Sequence, residues 1–365
     1  MDRYILPYEI TDAMTTLISE ISEEVGRIDA SGRLSAMPHL RRNTRIRSIH
    51  SSLRIEANSR TADQVRDVIN GEPVIGPASE ILEVKNAYEA YSQIGRIDPY
   101  QISELKRLHG IMTKDLITES GTYRHGEEGV FRGEQCIFMA PPARLVPSLM
   151  EDLFGWMGDN RSRVHPLILS SVFHYEFVFI HPFADGNGRM ARLWQTVLLA
   201  QWKPVFAELP VESQVERYQE VYYDAIADCH RAGNSNLFIE FMLQRILETL
   251  QIFSVQAASD AAVSPCVERL MECMAPGVSY SAVQLLTLLG LKSRQTLRMH
   301  YLDPAMQEGL VAMTIPEKPS SRNQRYRRTT SQPTSQPTGR PTSQPTCRST
   351  EQETGHNGRE DSRFP

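Results

Sequence analysis

Residues 167–192 read LILSSVFHYEFVFI followed by HPFADGNGRMAR. Positions 167–180 are apolar on nearly every side, which predicts a helix buried in the centre of a core. A Gly-Asn-Gly turn follows, and a further helix starts with RMARLWQTVLL. Glycines at Gly186 and Gly188 let consecutive backbone N–H groups converge into an anion-binding nest at a helix N-terminus. Arg189 and Arg192 are read as sharing the first turn of that helix, three apart and on one face. Positive charge there opposes the helix dipole by a few tenths to ~1 kcal/mol each, so the pair makes best sense if a polyanion sits between them. Asp185 precedes the nest, where a carboxylate holds Mg²⁺ against phosphate oxygens. His181 titrates near neutrality and is the candidate general base. Singly, each residue has a plainer reading: a packed core histidine, a turn, a helix cap. Within twelve residues, the functional reading leads.

Working outward, the 365 residues carry 41% apolar and 23% charged side chains and a net charge of -5. That is ordinary for a soluble globular protein and gives no reason for the whole molecule to cling to nucleic acid. The opening MDRYILPYEI does not read as a signal peptide, and no stretch approaches the ~20 apolar residues that span a bilayer. Cys136, Cys229, Cys266, Cys273 and Cys347 are scattered, suggesting neither a disulfide framework nor a zinc site. A reducing cytoplasm is the expected location.

Four regions are expected: 1–95, helical and polar, with the arginine-rich stretch LRRNTRIRSIHSSLRIEANS; 96–255, a helical core; 262–328, a separate small unit; and 329–365, a tail. Asp98-Pro99 reads as a helix opening, with Ile102, Leu105, Leu108 and Met112 at helical spacing. GVFRGEQCIFMAPP predicts a hairpin projecting from the helical body. In the third region Ala282 to Leu289 and Arg294 to Tyr301 suggest short helices, with VAMTI and QRYRR flanking a wing. The repeated SQPT units of the tail hold almost nothing apolar and are expected to be disordered.

The segment from His181 to Arg192 resembles the Fic family signature, HxFx(D/E)GNGRxxR, at every specified position. GTYR at 121–124, the hairpin, HPLI at 165–168 and YYDAI at 222–226 fall where that family has comparable elements. The resemblance covers about 1–328 and implies a mainly α fold: a Fic-type helical core with a small β-hairpin flap, plus a C-terminal winged helix. It also implies a protein adenylyltransferase. His181 takes the proton of a Ser, Thr or Tyr hydroxyl that attacks the α-phosphate of ATP; Asp185 holds Mg²⁺; Gly186, Asn187 and Gly188 cradle phosphates; Arg189 and Arg192 neutralise them. Glu134, Gln135, Cys136, Ile137 and Phe138 belong to the flap that aligns a target segment by strand addition. Tyr222 and Tyr223 either border the adenine or belong to the core.

Along RIRSIHSSLRIEANS, Ile46, Ile49 and Leu53 form one helical stripe with Ser52 and Glu56 on its edge, so Glu56 faces the protein body and wants a cation. The stretch resembles the family's inhibitory motif, (S/T)xxxE(G/N), whose glutamate pairs with the second signature arginine, here Arg192. Ala57 departs from the Gly or Asn expected there. Two rivals stand beside AMP transfer: removal of AMP by the same site, and a DNA-binding regulator using Lys292, Arg294 and Arg298 with Arg325, Arg327 and Arg328. The expected partners are ATP, a protein substrate, a second copy of the chain, and DNA or protein at the winged helix; no membrane is expected.

Overall fold

The computed structural model describes residues 6–31, 38–132, 135–261, 264–275, 277–307, 310–319 and 321–329. The expected tail from 330 onward, Glu134, and the side chains of Gln135, Cys136 and Ile137 lie outside the described residues.

Helices dominate. In chain order they are α1 (Asp12–Ser31), α2 (Pro38–Ile55), α3 (Ala62–Asn70), α4 (Ala78–Tyr91) and α5 (Ile102–Met112). A hairpin of β1 (Gly129–Arg132) and β2 (Gln135–Met139) intervenes. Then come α6 (Val146–Asn160), α7 (Pro166–Ile180), α8 (Asn187–Trp202), α9 (Val211–Arg217), α10 (Gln219–Ala232) and α11 (Asn236–Ala261). The last part holds α12 (Ser264–Cys273), β3 (Ser279–Ser281), α13 (Ala282–Leu289), α14 (Arg294–Leu297), α15 (Asp303–Gln307), β4 (Val311–Met313) and β5 (Arg325–Arg328). Among the described residues no helix is long and apolar enough to cross a membrane.

The centre is α7, as its composition predicts. Pro166 starts it where a missing N–H costs nothing, and His165 caps it by accepting the Leu167 N–H at Nδ1. Ser170 and Ser171, buried among apolar neighbours, donate to the Leu167 carbonyl. α7 and α8 pack on each other, and α11 covers α7. Phe173, Phe177 and Trp194 between them are fully buried. The N-terminal helices join this same core: Met14, Ile21, Ile49 and Leu53 belong to one apolar cluster with Phe238 and Leu250. A second, smaller cluster (Leu270, Leu285, Leu289, Leu297 and Val311 among its members) holds the C-terminal part. There β5 lies between β3 and β4, antiparallel to both.

Two local expectations are corrected. Asp98-Pro99 does not open α5, which starts at Ile102; Asp98 instead accepts the Tyr100 N–H with its side chain and the Gln101 N–H with its carbonyl, which makes a turn. The C-terminal helix read as Arg294 to Tyr301 is α14 followed by a wider turn of π type over Arg298–Leu302.

The end of α2 explains the residue that departs from the inhibitory pattern. Asn58 N–H reaches back to Leu53 O at 3.1 Å, closing the helix, and Ala57 adopts φ 64° to allow it. This left-handed conformation is where Gly or Asn is favoured, and a Cβ there costs roughly 1 kcal/mol. Ala57→Gly is therefore expected to raise stability by about 0.5–1 kcal/mol, read as a higher melting temperature. An unchanged or lower value shows that the strain is absorbed elsewhere.

Candidate functional site

The chain between α7 and α8, residues 181–186, reverses direction under tight restraint. His181 ends α7 at φ 51°, its N–H bonded to Phe177 O at 2.9 Å. Its Nδ1 lies 3.3 Å from Val178 O. A carbonyl only accepts, so Nδ1 carries the proton and Nε2 keeps a free lone pair. Burial pushes this imidazole below its ordinary pKa, against the Val178 hydrogen bond.

Two residues that the sequence reading did not single out hold the loop from outside. Arg124 is 3% exposed and donates to His181 O at 2.7 Å, Pro141 O at 2.5 Å, Gly126 O at 2.7 Å and Ile180 O at 3.4 Å. Its own N–H bonds to Pro182 O. His109, fully buried on α5, accepts the Gly121 N–H at Nδ1, so its Nε2–H donates to Asp185 O at 3.0 Å. Its ring stacks on Phe183 with centroids 3.6 Å apart. Burial lowers its pKa to about 4, which keeps it neutral in this role. The signals were modest: a histidine inside the apolar stripe of α5, and the arginine of GTYR.

Within the loop, Asn187 accepts the Phe183 N–H at 2.9 Å and donates to Phe183 O at 2.7 Å. Its side chain is thus committed to the loop, and its backbone is what remains to meet an anion. Gly186 has φ 81°, and a Cβ there would lie 3.1 Å from Thr113. A Cβ on Gly188 would lie 2.3 Å from Glu56 Oε1.

The charged side chains converge around that turn. Arg189, in the first turn of α8, donates to Asp185 Oδ2 at 2.6 Å and lies 3.9 Å from Glu83. Its Nε is buried without a hydrogen-bond partner. The Asp185 side chain is 53% exposed at the loop tip. Arg192 begins the second turn, not the first, because α8 starts at Asn187; the dipole penalty therefore falls mainly on Arg189. Arg192 is buried and bonded to the end of α2: Nη2 donates to Glu56 Oε1 at 2.7 Å and Ser52 O at 2.9 Å, and Nε to Ser52 Oγ at 3.1 Å. Burial opposes its charge, and the Glu56 carboxylate outweighs that, holding the guanidinium above its ordinary range. The Glu56 side chain itself is 36% exposed.

Tyr222 is buried, its hydroxyl bonded to His174 Nε2 at 3.0 Å, while His174 Nδ1 faces Gln195 at 2.6 Å. Tyr223 is half-buried beside it. In the hairpin, Val130 pairs with Phe138, and a bulge follows before Phe131 pairs with Cys136. Phe138 packs its ring on Phe179 and His230, anchoring the hairpin near the end of α7.

A helical core with this loop between its two central helices defines a class. Residues 99–199 match the Fic/DOC family, and 265–329 match the domain described as Filamentation induced by cAMP protein Fic-like, C-terminal domain. A solved structure of a Fic family protein from Desulfovibrio desulfuricans G20 is 42% identical, with a TM-score of 0.68; the match covers 90% of this chain and 99% of that one. The chain belongs to the Fic family. Fic-1 from C. elegans, at 18% identity and a TM-score of 0.55 over 68% of this chain and 72% of that one, shares the fold. Among curated relatives, Protein adenylyltransferase fic-1 of Caenorhabditis elegans is 25% identical over 226 residues, 59% of this chain and 43% of the relative. Protein adenylyltransferase Fic of Drosophila melanogaster is 25% identical over 291 residues, 74% and 54% respectively. The chain thus spans about half the length of these relatives or less.

Arg124→Ala strips four carbonyl groups of their donor. The expected cost is ~3–5 kcal/mol, as for breaking a buried charged network, measured by urea unfolding. A loss below ~1 kcal/mol means that the loop is held by the packing of Phe183 and not by Arg124.

Proposed function

We propose that this chain transfers AMP from ATP to a Ser, Thr or Tyr hydroxyl of a protein, itself included, and that Glu56 restrains it. The observation that carries the reading is the convergence on one turn of His181, Asp185, Arg189 and Arg192 with Glu56 bonded to Arg192.

His181 Nε2, with its lone pair free, takes the proton of the incoming hydroxyl. The hydroxyl oxygen bonds to the α-phosphorus of ATP as the bond to the bridging oxygen breaks, and pyrophosphate leaves. The N–H groups opening α8, kept accessible by Gly186 and Gly188, meet the phosphates. Arg189 and, once released, Arg192 offset the charge of the leaving group. The half-exposed Asp185 carboxylate suits Mg²⁺. When bound, that ion supplies charge neutralisation at the phosphates. The β1–β2 hairpin, residues 134–138 above all, lines up the target segment by adding it as a strand.

The regions 1–95, 96–255 and 262–328 then divide the work into restraint, catalysis and recruitment, with 329–365 dispensable and the cytoplasm as location. A second copy of the chain, or DNA against Lys292, Arg294, Arg298, Arg325, Arg327 and Arg328, adds to this reading without replacing it. One rival has an observation of its own. Glu56 faces the nest with a third of its side chain exposed, as a carboxylate that orients water for AMP removal must be.

Glu56→Gly is expected to raise self-modification, measured as added AMP by intact mass after incubation with ATP and Mg²⁺. Because Glu56 acts on Arg192, the gain is expected to shrink when Arg192 is already Ala. Equal activation in both backgrounds ends the idea of a brake through Arg192, and reduced activity points to AMP removal. Only the α-phosphate label, not the γ-phosphate label, is expected on the protein.

His181→Ala is expected to lower transfer by at least ~10²-fold while nucleotide binding persists. A base must be neutral to act, and a lowered pKa preserves the neutral form to lower pH. The rate in the Glu56→Gly protein should therefore hold steady from alkaline pH down through ~6.5, the ordinary imidazole value, and fall only below it. A fall centred above that value removes His181 as the base.

A further inference from the structure

The arginine-rich stretch of α2 is only partly used by the site above. Ser52 and Glu56 stand at its end, whereas Arg41, Arg42 and Arg45 sit near its start. These three line an open recess of about 320 Å³ together with Tyr88 of α4 and Glu208, the last residue of the 3₁₀ turn Pro204–Glu208. Spacings of three and four place Arg41 and Arg42 on one helix face with Arg45. Arg45 lies ten residues before Ile55, about 15 Å along the helix, so the recess is separate from the Gly186–Arg192 turn.

Arg42 and Arg45 carry the polar imbalance of the recess. Glu208 is the one carboxylate among the described residues that line it. It approaches Arg45 only to 3.8 Å, too far for a hydrogen bond. Arg45 Nε and Glu208 Oε2 are both buried with no hydrogen-bond partner, a costly state that an incoming group or water relieves. Burial also raises the Glu208 carboxyl pKa against the pull of Arg45 and Arg41. Arg42 donates to Asn70, a neutral acceptor. Tyr88, at 38% exposure, offers a ring face at the edge.

We infer that this recess is a second anion site, taking a small phosphorylated ligand. Guanidinium forks match phosphate oxygens two at a time, and the volume suits a small molecule and not a chain. The phosphate comes either from a nucleotide, whose base stacks on Tyr88, or from free pyrophosphate. The inference does not depend on the transferase reading.

The test is calorimetric titration of the full chain, without divalent ions, using inorganic pyrophosphate and, separately, adenosine monophosphate. All proteins carry Arg192→Ala, which weakens the nest as a competing phosphate site. Binding is expected to persist in this background, to weaken with added salt, and to drop about tenfold or more on adding Arg42→Gln with Arg45→Gln. Arg42→Gln alone, a surface change, should weaken binding several-fold with no shift in melting temperature, which guards against misfolding of the double variant. Tyr88→Ala that weakens only the monophosphate identifies a nucleotide; equal effects on both probes identify pyrophosphate. No binding in the Arg192→Ala background, or the same affinity with and without the Arg42 and Arg45 changes, overturns the inference.

Discussion

Two helices that are buried on nearly every face must reverse direction between Ile180 and Asn187. Six residues leave little room to satisfy the backbone groups that a helix end exposes. The reversal is achieved by a histidine in the left-handed region, a glycine at φ 81° and an asparagine bonded twice to Phe183. Arg124 takes up the carbonyls of Ile180 and His181, and His109 takes that of Asp185. Both donors are buried, so water competes little for these bonds. The consequence is that the side chains left over, His181, Asp185, Arg189 and Arg192, project from a frame with little freedom. A rigid frame of this kind is what pre-organised charge needs.

The same economy shapes the contact with α2. Arg192 is too buried to keep its charge without acceptors. Its acceptors come from a helix 136 and 140 residues away in sequence, and two of the three belong to Ser52. Losing Glu56 therefore does not strand the guanidinium, since the Ser52 carbonyl and hydroxyl remain. This makes the Glu56 contact separable from the fold in a way that the Arg124 contacts are not. Ala57 completes the picture: α2 closes on a strained residue immediately beyond the glutamate, so the end bearing Glu56 is held at some local cost.

Asp185 shows the other side of the arrangement. Asp185 and Arg189, neighbours four apart on the chain, pair at 2.6 Å. The half-exposed position of Asp185 makes that pair inexpensive to exchange for another partner. Arg189 is buried with an unpartnered Nε, an unused donor beside that pair.

Much of this was legible in the residues. The central helix announced itself because fourteen positions without an exposed face admit no other place than a core, and the Asp-Gly-Asn-Gly run announced a tight turn because glycine there has a steric reason. The hairpin, with its Gly and Pro boundaries, and β4 and β5 around their turn were readable on the same local grounds. The start of α5 was not, because Asp98-Pro99 suits a turn as well as a helix and only the neighbouring hydrogen bonds choose. His109 and Arg124 were also hidden. Their partners lie 76 and 57 residues away, and a buried polar group identifies itself only through the acceptors that folding brings to it. Sequence by itself determined which segments are buried and which charged residues gather at the turn between α7 and α8, because those depend on side-chain type and spacing. Which carbonyl each buried donor satisfies, and the Ser52 contacts that accompany the Glu56–Arg192 pair implied by the family resemblance, only the tertiary structure decided, because long-range hydrogen bonds depend on distances that no local pattern encodes.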